Sequence, residues 1–152
     1  MSICVNQLLN ISMSEELLYG DLTYKVIGLG MEVHRTLGHG YLEKVYENSL
    51  MVLFSRSGIF AEQQVPIRVK FEGEIVGDYY ADILVEQKLI LELKVAERIT
   101  AIHKAQTLNY LKATGLKLAL ILNFGAPSFE HHRLINRFEK TSKEFEQRIN
   151  AD

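Results

Sequence analysis

The chain has 152 residues, of which 47% are hydrophobic and 24% charged, and this size and balance predict one globular domain with its own core. A formal net charge of −2 excludes the strongly basic surface typical of many nucleic-acid binders, so any such binding must be local. The first residues lack the basic region and long apolar run of a signal peptide, and the single Cys4 cannot form an internal disulfide. We therefore expect a cytoplasmic protein that does not enter a membrane.

Two helices are predicted in the first part of the chain. Asp21 offers an N-cap to a segment whose apolar residues recur at helical spacing as far as Leu37. The same pattern resumes from Tyr41, and Gly58 is placed to end this second helix. Residues 1–20 then form an N-terminal extension that we expect to be poorly ordered.

Three strands follow, because from Ala61 onward the apolar residues alternate with a period of two. The alternation breaks near residues 72–73 and again at residues 86–88, which places two turns. Pro66 lies in the first of these strands and predicts that it is an edge strand, since proline cannot donate a hydrogen bond to a neighbour.

A third helix over Thr100–Ala113 leads to a final strand with the sequence KLALILNFG. A strand, a helix and a further strand imply a right-handed crossover, so the last strand should run parallel to the third. The order ααβββαβ predicts an α/β domain over residues 21–135 with a mixed four-stranded sheet flanked by helices. Residues 136–152 form a polar tail.

The third strand, LILELKV, carries a carboxylate and an ammonium group on an otherwise apolar segment. If residues 86–88 form the turn, Asp82 pairs with Glu92, and alternation places Lys94 on the same face. Opposed like charges destabilise a hairpin, and a hard cation such as Mg²⁺ would offset the repulsion. The simpler interpretation is a solvated sheet face on which Lys94 compensates the two acids.

Polar pairs on two helices could join these acids. Glu43 and Glu47 share one side of the second helix, although an acid in the first helical turn is also favoured by the helix dipole alone. Gln106 and Tyr110 are four residues apart on the third helix and could orient a phosphate or a water, or could simply form a half-buried helix face.

Several motifs resemble those of a known family. GYLEKVY at residues 40–46 is similar to the pattern of the GxxExxY protein family, and Asp82 with the later ELK at residues 92–94 resembles the D…ExK signature of the PD-(D/E)xK nuclease superfamily. AQTLNYLKATG and LILNFG also resemble later segments of that family, so the similarity runs from about Tyr24 to Ile135. Ala81 stands where the signature has proline, which is not a ligand.

The resemblance implies a restriction-endonuclease-like core and a metal-dependent phosphodiesterase. The catalytic residues carried over position by position are Glu43, Asp82, Glu92, Lys94, Gln106 and Tyr110. Asp82, Glu92 and the carbonyl of Leu93 would bind Mg²⁺, for which Mn²⁺ could substitute. Glu43 would complete the acidic cluster as a further metal-site residue, at this ion or at a second one. Lys94 would orient or help deprotonate the attacking water. The two residues of the third helix would support the water or the scissile phosphate.

Three functions compete at this point. The first is an Mg²⁺-dependent nuclease that acts on DNA or RNA, either alone or as a homodimer. The second is a nuclease-like module that holds nucleic acid or a protein without cutting, which the acidic net charge favours. The third is a scaffold domain with a solvated hairpin face. The intact D…ExK set with an added glutamate favours the first.

Overall fold

Three helices and five strands form the part of the chain described by a computed structural model, which covers residues 2–137 and the side chains from residue 19. The elements in chain order are α1 (Ser2–Leu37), α2 (Glu43–Arg56), β1 (Ala61–Phe71), β2 (Glu74–Val85), β3 (Leu89–Lys94), α3 (Ala101–Thr114), β4 (Leu118–Asn123) and β5 (Glu130–Ile135). Most of the predicted polar tail, from residue 138 onward, lies outside the described residues. No helix within residues 2–137 combines the length and apolar character needed to cross a bilayer.

The first helix begins earlier than its sequence signal predicted. Asp21 lies inside α1, so its prediction as an N-cap was wrong. Residues 2–20 contain no proline, and the one glycine among them, Gly20, costs a helix only about 1 kcal/mol relative to alanine. The helix therefore continues through the predicted boundary, and it ends where expected, with Gly38 in the left-handed region at a φ of 70°.

The other two helices confirm the predicted segments. The buried side of α2 is formed by Tyr46, Glu47, Leu50 and Phe54, so an acid lies on its inward face. The start of α3 is fixed by a reciprocal cap, in which the Thr100 hydroxyl accepts from the backbone of residue 103 and the ring of that histidine accepts from the Thr100 backbone.

The sheet has five strands in the order β1-β2-β3-β4-β5, one more than predicted. β3 and β4 run parallel, as expected for a crossover through α3, and the other pairs are antiparallel. β1 is an edge strand, as Pro66 indicated. The additional strand, β5, has the sequence EHHRLI, and its residues alternate between half-buried and exposed. Because its inward residues include Glu130 and His132, it lacks the apolar alternation that marks a strand.

Buried residues lie on both faces of the sheet. On β3, Leu89, Leu91 and Leu93 pack with β4 and the inward sides of α1 and α2. Ile90 points the opposite way and packs with α3, in the cluster that contains Leu111. This alternation confirms the predicted two-sided character of the strand. It also determines which helix each polar side chain of the strand approaches.

Candidate functional site

The turn at residues 86–88 is confirmed, and β2 pairs with β3 through Val85–Leu89, Leu84–Ile90 and Ile83–Leu91, where the ladder ends. Asp82 and Glu92 do not form the fourth pair. Instead, the backbone N–H of Leu93 donates to Oδ2 of Asp82 at 2.8 Å. A side-chain carboxylate therefore takes the hydrogen bond that a continuing strand would have accepted, and this fixes Asp82 at the point where the strands separate.

Glu92 follows Ile90 on the α3 side of β3 and is only 5% exposed. Its Oε1 atom is buried and has no hydrogen-bond partner among the described residues. Burial, and next the negative charge of Asp82, raise the pKa of Glu92 to about 8, against the opposing effect of the Lys94 ammonium. Glu92 is therefore a buried acid with an unused oxygen beside a second acid.

Two other carboxyl groups have pKa values shifted in the same direction. Burial raises the pKa of Asp82, the hydrogen bond from Leu93 acts against this rise, and the charge of Glu47 adds to it. Partial burial of the carboxyl group and then the charge of Asp82 raise the pKa of Glu43, although the residue as a whole is exposed. These acids are close enough to disfavour one another's ionised forms, which is the situation that a bound cation relieves.

Glu47 is the more deeply buried acid of α2, with 3% of its surface exposed. It accepts hydrogen bonds from Lys44 Nζ at 2.5 Å and from the side-chain amides of Gln63 and Gln64, each at 2.6 Å. The sequence placed Glu47 on the same side as Glu43, but no local signal showed that it would anchor β1. The helical spacing indicated only that Glu47 would lie near Tyr46 and Leu50 on the buried face of α2.

A cleft of about 610 Å³ opens between α2 and the sheet, and Glu43, Glu47, Gln64 and Asp82 line it. Gln64 has a φ of 53°, and it lies opposite Asp82 at a gap in the pairing between β1 and β2. The distortion of both neighbouring ladders at this place leaves polar side chains, instead of paired backbone, at the base of the cleft.

Gln106 and Tyr110 approach the acids from α3. The Gln106 amide donates to the Tyr110 hydroxyl at 2.9 Å, and Tyr110 is 8% exposed. Burial and then the charge of Glu92 raise the pKa of Tyr110. The structure thus brings this helical pair to the side of the sheet that Glu92 occupies.

The LNFG segment at the end of β4 holds the chain that follows Lys94. The buried Asn123 accepts from the backbone N–H of Ala96 at 3.1 Å and donates to its carbonyl at 3.0 Å. The N–H of Phe124 donates to the carbonyl of Lys94 at 2.9 Å. We call these hydrogen bonds the β4 clasp. The clasp holds the chain in place directly after β3, the strand that carries Glu92 and Lys94, and this is a structural role for the LILNFG segment.

A family model described as the PD-(D/E)XK nuclease superfamily matches residues 20–138, most of the chain. The chain belongs to the PD-(D/E)XK nuclease superfamily. Among solved structures, this nuclease-superfamily chain is similar to the crystal structure of SSO0001, with 14% sequence identity and a TM-score of 0.48. The match covers 72% of this chain and 55% of SSO0001, so the chain spans about half the length of that protein. A search of curated proteins found no match.

No group of three or more His, Cys, Asp or Glu side chains in the described part of the nuclease-superfamily domain lies ready to hold a metal ion. Mg²⁺ commonly takes only one or two carboxylates and keeps several waters. Asp82 and the unpartnered Oε1 of Glu92 supply hard oxygen donors of this kind. The residues present therefore fit a magnesium ion by their donor chemistry.

Replacing Gly125 with alanine should destabilise this nuclease-superfamily protein by about 2 kcal/mol or more. A Cβ at Gly125 would lie 2.5 Å from the carbonyl carbon of Val95 and would also overlap the backbone of Ala96, so the clasp would have to move. Gly28→Ala is the matched control, because Gly28 lies in α1 with nothing within 4 Å of an added Cβ. It should stabilise the protein by up to about 1 kcal/mol. Urea denaturation measures the free energy of unfolding of both variants. Similar midpoints would show that the close packing of Gly125 against residues 95 and 96 does not contribute to stability.

Proposed function

We propose that the protein is an Mg²⁺-dependent nuclease of the GxxExxY type that hydrolyses phosphodiester bonds of DNA or RNA. The observation that carries this proposal is the buried, unpartnered Oε1 of Glu92 beside Asp82. Burying a carboxylate oxygen without a hydrogen bond is costly, and such a group in a folded protein calls for a ligand or a function. A divalent cation between the two acids would satisfy the oxygen and remove the repulsion.

Asp82 and Glu92 would hold the ion, with the carbonyl of Leu93 as a third ligand. The hydrogen bond from the Leu93 N–H supports this assignment, because it holds the Asp82 carboxylate in one position next to β3. Bound Mg²⁺ would polarise a phosphoryl oxygen and lower the pKa of a coordinated water. Mn²⁺ would serve in its place.

Lys94 would orient the attacking water, help to deprotonate it and stabilise negative charge on the phosphate. Its charge already acts on both Glu92 and Glu43, so it lies within electrostatic reach of the acids. Glu43, at the open side of the cleft, would complete the acidic site. Gln106 and Tyr110 would position the water or the scissile phosphate from α3, and their mutual hydrogen bond holds them in one geometry.

A non-cleaving nuclease-like module is the second candidate, and the net charge of −2 favours it. Incubation of the protein with single-stranded and double-stranded DNA and RNA in Mg²⁺, in Mn²⁺ and in EDTA separates the two. We expect cleavage of at least one of these substrates in either metal, none in EDTA, and a large loss of activity in Lys94→Ala. No cleavage of any substrate in either metal would contradict the nuclease and leave the binding module.

A further inference from the structure

A second groove, of about 500 Å³, separates the β1–β2 hairpin from α3. Its helical wall includes Gln106, and Asn109 and Tyr110 follow it by three and four residues, so both lie next to Gln106 on one side of α3. Its other wall includes Tyr79 from β2. The volume lies within the range of pockets that hold small organic ligands, a size class that includes one nucleotide.

Tyr79 presents an aromatic face in this groove. The side chain is 45% exposed, and its ring centroid lies 5.6 Å from that of Tyr110 at an interplanar angle of 44°. A Cβ on Gly77 would lie 2.7 Å from Cε2 of Tyr79, so the ring packs over Gly77 and a side chain there would have to displace it. The absence of a side chain at Gly77 lets the Tyr79 ring pack against the sheet while part of the ring stays in contact with solvent.

The remaining groups of the groove suit a nucleotide. Gln106 and Asn109 carry neutral amides that can donate to and accept from a base edge. Lys70 and Lys112 supply positive charge on opposite walls, although the chain as a whole is acidic. An aromatic surface beside lysines is the combination by which proteins hold unpaired strands, because every base has a face to stack and every nucleotide a phosphate. In a duplex those faces are already covered by neighbouring base pairs.

The groove also lies next to the acidic site. Tyr110 belongs to its wall and packs in the same buried cluster as Ile90, and Glu92 follows Ile90 on that side of β3. Gln106 likewise lines the groove and donates to the Tyr110 hydroxyl. A strand whose base occupied the groove would therefore bring a neighbouring phosphate toward the acids.

We propose that this groove binds an unpaired nucleotide of a single-stranded nucleic acid, with its base against Tyr79 and its phosphate near Lys70 or Lys112. The proposal rests on the proposed nuclease function for the class of ligand and deepens it by naming the form of the substrate. Tyr79 acts here as a binding residue outside the catalytic set.

Fluorescence anisotropy with a labelled single-stranded 12-mer tests the groove directly. The titration is done in EDTA, so that binding is measured without hydrolysis. Tyr79→Ala should weaken binding about tenfold or more, as expected for the loss of one base stack. Tyr80→Ala is the matched control, because Tyr80 is 50% exposed but is the next residue along the strand and points to the other face. It should change the dissociation constant less than about twofold, and Tyr79→Phe should keep the wild-type value.

Three results would contradict the proposed nucleotide site. They are no binding of the single strand by the wild-type protein, equal losses of affinity in Tyr79→Ala and Tyr80→Ala, and tighter binding of the duplex of the same sequence. If Tyr79→Ala loses its native circular dichroism, Tyr79→Leu replaces it, since leucine keeps apolar cover on the sheet but offers no ring. Binding that depends on Tyr79 in a protein that cuts no substrate would support the groove and contradict the nuclease. Cleavage in Mg²⁺ by a protein whose binding does not depend on Tyr79 would support the nuclease and contradict the nucleotide site.

Discussion

Replacing Glu92 with glutamine should lower Mg²⁺-dependent cleavage by about a thousandfold or more. The change is isosteric in a side chain that is 5% exposed, so the packing around it should be kept while the ability to ionise and bind the cation is lost. Loss of a metal ligand removes several kcal/mol of transition-state stabilisation, and each 1.4 kcal/mol is a tenfold change in rate. Asp82→Asn should have a similar effect, because both acids hold one ion. The initial rate of oligonucleotide cleavage measures the change.

Glu74→Gln is the matched control for both variants. Glu74 is an exposed acid at the start of β2, beside the hairpin turn, and its loss should leave the rate within about twofold of wild type. Thermal denaturation of all three variants in EDTA establishes that each is folded. Wild-type rates in folded Glu92→Gln and Asp82→Asn would contradict the assignment of the acids.

The stability of the metal-free protein should fall as the pH rises from about 5 to 8. The folded pKa of Glu92, about 8, lies above its ordinary value of 4.5, so the folded state binds the proton more tightly than the unfolded chain. This contribution to stability is complete below pH 4.5 and is lost as the pH rises through 8. The shift corresponds to a loss of roughly 3 kcal/mol between pH 5 and 8. The raised pKa values of Asp82 and Glu43 act in the same direction.

Urea denaturation in EDTA at several pH values, with Glu92→Gln as the comparison, isolates this effect. Glutamine cannot ionise, so the variant should have a flatter profile and should be more stable than wild type at pH 8. Saturating Mg²⁺ should restore stability to the wild-type protein at pH 8, because the cation binds the ionised acids. Parallel profiles for the two proteins would show that Glu92 is not the buried acid responsible.

The sequence predicted those parts of the fold that depend on local pattern. The alternation in β1, β2 and β3 requires only neighbours along the chain, and the parallel placement of β4 follows from the crossover. β5 was missed because its inward residues are polar, and only its pairing with β4 makes it a strand. The N-cap at Asp21 was wrong because a favourable cap residue does not start a helix where nothing upstream stops one.

In the candidate site, too, the sequence predicted what depends on local spacing and missed what depends on long-range contacts. Spacing alone placed Gln106 and Tyr110 together, since residues four apart on a helix are neighbours. The end of the ladder at Ile83, and the turn of the Asp82 carboxylate to the Leu93 N–H, depend on long-range packing that no local pattern encodes. The anchoring of Glu47 by Gln63 and Gln64 likewise requires contact between α2 and β1.

Isothermal titration of the metal-free protein with Mg²⁺ tests most directly whether Asp82 and Glu92 together form a metal site. We predict a saturable heat for the wild-type protein at pH 8 that is lost in both Asp82→Asn and Glu92→Gln and retained in Glu74→Gln. Wild-type affinity in either site variant, or no saturable binding of Mg²⁺ or Mn²⁺ by the wild-type protein, would contradict the account.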